Sequence, residues 1–148
     1  MKHMFHYEGR WTGGRAGSGE IRAGGLQATV TRPAQMGGPG IGTNPDEMLL
    51  SAAATCYMMT LAFLLEARKI PVMDLTVFST GVFSEEGGLH CDSIAHRPKI
   101  LLDGEGNGVV DLAMQLAREA ESRCMVSRAL AGNVSISVEP EVFVNDGR

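Results

Sequence analysis

Positive charge is in short supply: 13 Lys and Arg against 17 Asp and Glu leave a net charge of −4. No basic patch or run is there to steer the chain to nucleic acid or to an anionic membrane. Cysteine is scarce as well, with Cys56, Cys91 and Cys124 alone. An odd number, widely spaced and with no secretory leader recognised, argues against a disulfide scaffold. The expected compartment is the reducing cytosol, where disulfides are mostly transient and chemical. The histidines, His3, His6, His90 and His96, make no CxxC or HxxxH pattern with the cysteines. Zinc-ligand spacing is therefore missing, and no metal or other cofactor is expected. The stretches GGRAGSG and GGPGIG are not followed by GK[ST], so they are not phosphate loops. No serine lies in GxSxG, and no motif sets a histidine beside a cysteine for hydrolysis.

What is present is a chain of 148 residues with 44% hydrophobic content, enough for one domain over residues 1–148 with a real core. Glycine is plentiful and gathers in the first 42 positions and over 81–108. Residues 3–7 read as a first strand and 10–19 as a glycine-rich loop. Short strands at 20–22 and 26–31 flank Gly24 and Gly25, a hairpin signal. Residues 33–42 hold too much glycine and proline for regular structure. Strands are expected at 75–83 and 89–102, with Pro98 demanding an edge position or a bulge in the second. Residues 103–108 read as a loop. A helix is expected at 109–124, with Leu112, Leu116, Ala120 and Cys124 on one apolar stripe. A helical turn at 127–130 and a strand over 134–138 follow. The order β-β-β-α-β-β-α-β predicts an α+β fold with a mainly antiparallel sheet.

The best-marked element is the helix over 44–68. Asn44 is a good N-cap, Pro45 suits the first helical position, and Glu47 completes a capping box. Pro71 stops it. From Met48 to Leu65 it carries no charge, which is marginal for a membrane span. Ser51, Thr55, Tyr57 and Thr60 interrupt that run, and charges flank it, so no membrane partner is expected. A helix apolar on all sides is buried on all sides. In so small a chain, that burial calls for a second subunit.

Cys56 sits in the middle of this helix. By position it could be a buried core thiol, and burial alone makes a thiol inert. A reactive Cys56 needs a cation nearby. Cys124 closes the apolar stripe of the second helix, so the two cysteines can meet at a helix–helix contact. Cys91 lies in a strand and reads as structural or exposed.

The segment TNPDEMLLSAAATCYMMTLAFLLE resembles the central helix of the OsmC/Ohr family. There a TNP-acidic start is followed by a peroxidatic cysteine at the spacing that separates Asn44 from Cys56. AESRCMVSRALAGNVSISV resembles the family's second motif, with a resolving cysteine, a serine and a helical turn before the last strand. WTGGRAGSG resembles its N-terminal loop, which carries an active-site arginine, here Arg15. The likeness covers nearly the whole chain. Two positions depart from the family's habit: Met125 stands where Pro is common, and Asp46 where the catalytic acid is usually Glu.

The resemblance implies an OsmC-like fold, with a sheet wrapped around the long helix in an intertwined homodimer. It implies a thiol peroxidase in which Cys56 attacks a hydroperoxide, forms a sulfenic acid and condenses with Cys124. An external dithiol, of lipoyl type, would reduce the pair. Arg15 would favour the Cys56 thiolate. Glu47 lies about 900° of helical rotation before Cys56, on the opposite face, whereas Asp46 lies within about 80° of the same face. Asp46 is thus favoured over Glu47 as the acid that holds Arg15. Met58, Met59 and Leu49 would favour an organic peroxide. Two other uses of the same pocket remain: a redox sensor that turns over poorly, and a binding module for a small apolar ligand.

Overall fold

The structure, a computed structural model, describes residues 1–104, 106, 108–145 and 147. The chain forms two compact units, Met1–Met48 and Leu49–Arg148.

In the first unit three antiparallel strands lie side by side: β1 (Glu8–Thr12), β2 (Ser18–Ala23) and β3 (Leu26–Val30). The first strand is not the apolar stretch 3–7, which has no regular structure. Pairing is decided by the turn and by charge instead. Glu8 lies opposite Arg22 and Arg10 opposite Glu20, pairs of opposite sign that favour this register. The turn itself spans only 13–17, held by Trp11 Nε1 donating to Gly14 O at 3.1 Å. The Gly24–Gly25 turn joins β2 to β3 as expected, with Gly24 at φ 61°. Residues 33–42 are irregular apart from one 3-10 turn, Ala34–Met36. Gly42 sits at φ 71°, and a Cβ there would run into the Thr29 carbonyl. That close approach lets Thr43 N–H donate to Thr29 O at 2.9 Å, just before the long helix begins.

The long helix, α1 (Pro45–Ala67), has the cap that its sequence prescribes. Glu47 N–H donates to Asn44 Oδ1 at 2.9 Å, and Asn44 Nδ2 donates to Glu47 Oε1 at 2.7 Å. By length and composition α1 could cross a membrane, with a mean hydropathy of 1.9. In this fold one stripe of it, Ala53, Tyr57, Leu61 and Leu65, is fully buried in protein. The opposite stripe, including Met58, Met59 and Phe63, is open within a single chain.

In the second unit β4 (Val72–Ser84) pairs antiparallel with β5 (His90–Asp103). Of the loop expected over 103–108, residues 105 and 107 lie outside the described residues. Two helices follow, α2 (Val109–Arg123) and α3 (Met125–Leu130), then β6 (Ser135–Val138) and β7 (Glu141–Asn145). Both last strands run parallel to β5, β6 beside Ser93–His96 and β7 beside Lys99–Asp103. β5 is therefore the central strand, and Pro98 is fully buried in it, neither at an edge nor at a bulge. It falls at the gap between β6 and β7, where no ladder bond is asked of its missing N–H. α2 buries Ala113, Leu116, Ala117 and Ala120 against the α1 stripe and against Ile100 and Leu102 of β5. Each such leucine contributes about 1.5–3 kcal/mol on leaving water.

Candidate functional site

Cys56 lies midway along α1 and is half-buried. Cys124 is fully buried, and it separates α2 from α3. Its backbone is extended, at φ −71° and ψ 125°, so the chain turns sharply and a new helix starts at Met125. The first N–H groups of a helix have no partner within it. Here they lie towards sulfur: the Met125 and Val126 N–H groups favour the charged form of Cys56, and the Ser127 N–H that of Cys124. The two thiols are neighbours whose titrations are linked, the Cys124 S–H favouring a charged Cys56 sulfur. Thr60, one turn after Cys56, donates its hydroxyl to Cys56 O at 2.8 Å and also reaches the Cys56 sulfur. It has one proton and two acceptors, so it is free to turn to the sulfur when that ionises.

These contacts give the thiols opposite tendencies. Burial pushes the Cys56 pKa up. The Cys124 thiol, the Val126 and Met125 N–H groups and the Thr60 hydroxyl outweigh it, and the net direction is down. For Cys124, burial again pushes up, and donating to Cys56 adds to it. The Ser127 hydroxyl and N–H only partly offset this, and Cys124 keeps its proton. Among the described residues the buried Ser127 hydroxyl has no hydrogen-bond partner, though it lies near enough to Cys124 to favour its charged form. The arrangement is a part-buried thiol biased towards ionisation beside a thiol biased against it, which suits attack by one sulfur and resolution by the other.

Beneath the pair lies a buried polar chain. Tyr57, next to Cys56, donates its hydroxyl to Ala117 O of α2 at 2.6 Å. Its ring stacks on His96 of β5, with centroids 4.6 Å apart and planes 7° from parallel. His96 Nδ1 meets Ser79 Oγ of β4 at 2.7 Å, while its buried Nε2 has no hydrogen-bond partner among the described residues. Burial lowers the His96 pKa.

The other expected site residues are placed as follows. Arg15 is exposed in the turn between β1 and β2. Asp46 and Glu47 occupy the first turn of α1, and Glu47 is engaged by Asn44 as the cap requires. Cys91 is half-buried beside Ala53, Ile94 and Val134, and its thiol donates to Ser93 O at 3.9 Å. Among the described residues no group of three or more His, Cys, Asp or Glu is gathered in metal-binding fashion. Thr60 and the α3 N–H groups did not stand out in the sequence. A threonine one helical turn after a cysteine is the only hint of the first.

The OsmC-like protein family model matches residues 37–139. Uncharacterized protein YmaD of Bacillus subtilis is 42% identical over 142 residues, covering 95% of each chain. Among solved structures, an organic hydroperoxide resistance protein OsmC of Legionella pneumophila shares 25% identity with a TM-score of 0.75, covering 95% of this chain and 99% of the other. OhrB, the organic hydroperoxide resistance protein of B. subtilis, shares the fold at 23% identity and a TM-score of 0.68, over 93% of this chain and 98% of its own. The α+β architecture, with antiparallel and mixed sheets and a central helix, agrees with both. By family model, by sequence and by fold, the chain belongs to the OsmC/Ohr family.

Proposed function

We propose that the protein is a thiol-dependent peroxidase that reduces organic hydroperoxides, with Cys56 as nucleophile and Cys124 as resolving thiol. One arrangement supports the reading: two free thiols, Cys56 midway along α1 and Cys124 at the break between α2 and α3, are neighbours in one core, and their surroundings bias Cys56 towards ionisation and Cys124 against it. The names of the OsmC and OhrB neighbours point the same way.

The Cys56 thiolate attacks the terminal peroxide oxygen. The O–O bond breaks, the sulfur takes the terminal OH as sulfenic acid, and the leaving alkoxide takes a proton from water to depart as the alcohol. The Cys124 thiol then attacks the Cys56 sulfur, a disulfide forms and water departs. A dithiol of lipoyl type reduces the disulfide by exchange and becomes a disulfide itself. Arg15 steadies the thiolate and hydrogen-bonds the peroxide, and Asp46 holds Arg15. Glu47 keeps its capping role. Met58, Met59 and Leu49 supply apolar surface that favours an organic peroxide over hydrogen peroxide. Neither nucleic acid nor membrane takes part, and the reaction belongs in a reducing cytoplasm.

The working form is a homodimer. The stripe of α1 with Met58 at 37%, Met59 at 49% and Phe63 at 60% exposure supports this, since an apolar helix face wants cover. Beside it lies a groove of about 430 Å³ whose lining includes Ala62, Phe63, Leu65, Glu66, Ile70 and Leu75. Turnover of an alkyl hydroperoxide with dihydrolipoamide tests the reading. Wild-type protein should consume peroxide catalytically and Cys56→Ser should not; turnover by the serine variant would remove Cys56 from its role.

A further inference from the structure

A hydrophobic core gains nothing in stability from a polar chain that an aliphatic residue could replace. Yet Tyr57, His96 and Ser79 form such a chain, and Tyr57 and His96 are fully buried in it. Its partners sit on four different elements: Tyr57 on α1, Ala117 on α2, His96 on β5 and Ser79 on β4. Tyr57 adjoins Cys56, and Ala117 lies two turns before Cys124 on the helix that Cys124 ends. The bond of 2.6 Å between them is directional, unlike the surrounding leucine and alanine contacts. The ring cannot swing away to relax it, because His96 is stacked on its face at 4.6 Å and is itself held by Ser79.

From this geometry we infer that Tyr57 is a positioning residue, whose hydroxyl locks α1 against α2 so that the Cys56 and Cys124 sulfurs stand at bonding range. The inference rests on the peroxidase reading and concerns one step in it. When Cys124 attacks the sulfenic acid, the Cys124 S–H proton and the Cys56 hydroxyl leave together as water and the S–S bond forms. That step needs the two sulfurs aligned, and a disulfide tolerates little error in backbone spacing. The first step, attack on peroxide, needs Cys56 alone. Loss of the lock therefore acts on closure and spares sulfenic acid formation. This sets Tyr57 apart from a residue that merely fills the core, which would lower stability and leave the two rates in their original ratio.

Tyr57→Phe keeps the ring and its stack on His96 and removes only the hydroxyl. Peroxide is mixed with the reduced protein, and two rates are followed: sulfenic acid formation, by dimedone trapping, and disulfide closure, by mass after alkylation. Sulfenic acid formation in the variant should stay within about twofold of wild type. Closure should slow by about tenfold or more, as expected when reacting atoms are displaced by a fraction of an ångström, and dimedone adduct should accumulate. Closure at the wild-type rate, or both steps slowed equally, overturns the inference. Wild-type protein that never forms the Cys56–Cys124 disulfide overturns the peroxidase reading itself, and the two failures are distinct.

Discussion

Cys124 stands in an extended conformation, φ −71° and ψ 125°, the one a residue takes before proline. Met125 follows at the first helical position, which proline favours. Met125→Pro should thus fold normally while removing one N–H from the Cys56 sulfur. A hydrogen bond to a charged group is worth roughly 1.5–3 kcal/mol, less at a half-exposed sulfur. The variant should need a higher pH to ionise Cys56 and, below that pKa, react with peroxide about three- to tenfold more slowly. The rate against pH checks this, and an unchanged profile would deny Met125 a part. His96 gives a second pH effect with a definite sign. Burial holds its folded pKa below the ordinary value. The unfolded chain therefore takes up a proton first, at about pH 6.5, and stability falls as pH drops below that. The loss levels off once the folded form titrates too. Melting temperature should decline between pH 7 and 5, and His96→Phe should lessen the decline. By helix position alone both cysteines read as core thiols, and it is the resemblance to the OsmC/Ohr motifs that singles them out. Neither makes their donors legible, since those depend on the backbone break at Cys124.

At the scale of elements, the helices were nearly complete in the sequence. The expected 44–68 and 109–124 became Pro45–Ala67 and Val109–Arg123, because caps, proline stops and a 3.6-residue period all agree there. The strands were harder. β1 is fully exposed and paired by opposite charges, so no apolar alternation marks it, and the apolar 3–7 stretch drew the reading away. β7 went unread: Pro140 precedes it, and its five residues acquire meaning only as parallel partners of β5. Pro98 was legible as a constraint but not as a solution, because the sequence does not reveal that two short strands share one neighbour. The cap of α1 is where sequence and structure coincide best, and it yields a prediction. Asn44→Ala removes two hydrogen bonds at the helix start and should destabilise by about 0.5–2 kcal/mol. Denaturant melts would show this as a lower midpoint with an unchanged slope; no change in midpoint would mean that the capping box contributes nothing.

At the scale of the molecule, one chain buries one face of α1 and leaves Met58, Met59 and Phe63 open. The sequence led to a helix buried on every side, and the open face is the part a second copy would cover. Phe63→Glu places a charge in that face and should convert the proposed dimer to single chains, measured by sedimentation equilibrium at micromolar concentration. A dimer that persists unchanged would place the contact elsewhere. Oxidation of two neighbouring thiols by one peroxide is read out by intact mass after one equivalent of alkyl hydroperoxide. The mass should fall by two hydrogens per chain, mapped by peptide analysis to a bond between residues 56 and 124, with residue 91 still alkylatable. Oxygen added stably at 56, or a bond that includes 91 in place of 124, would contradict this.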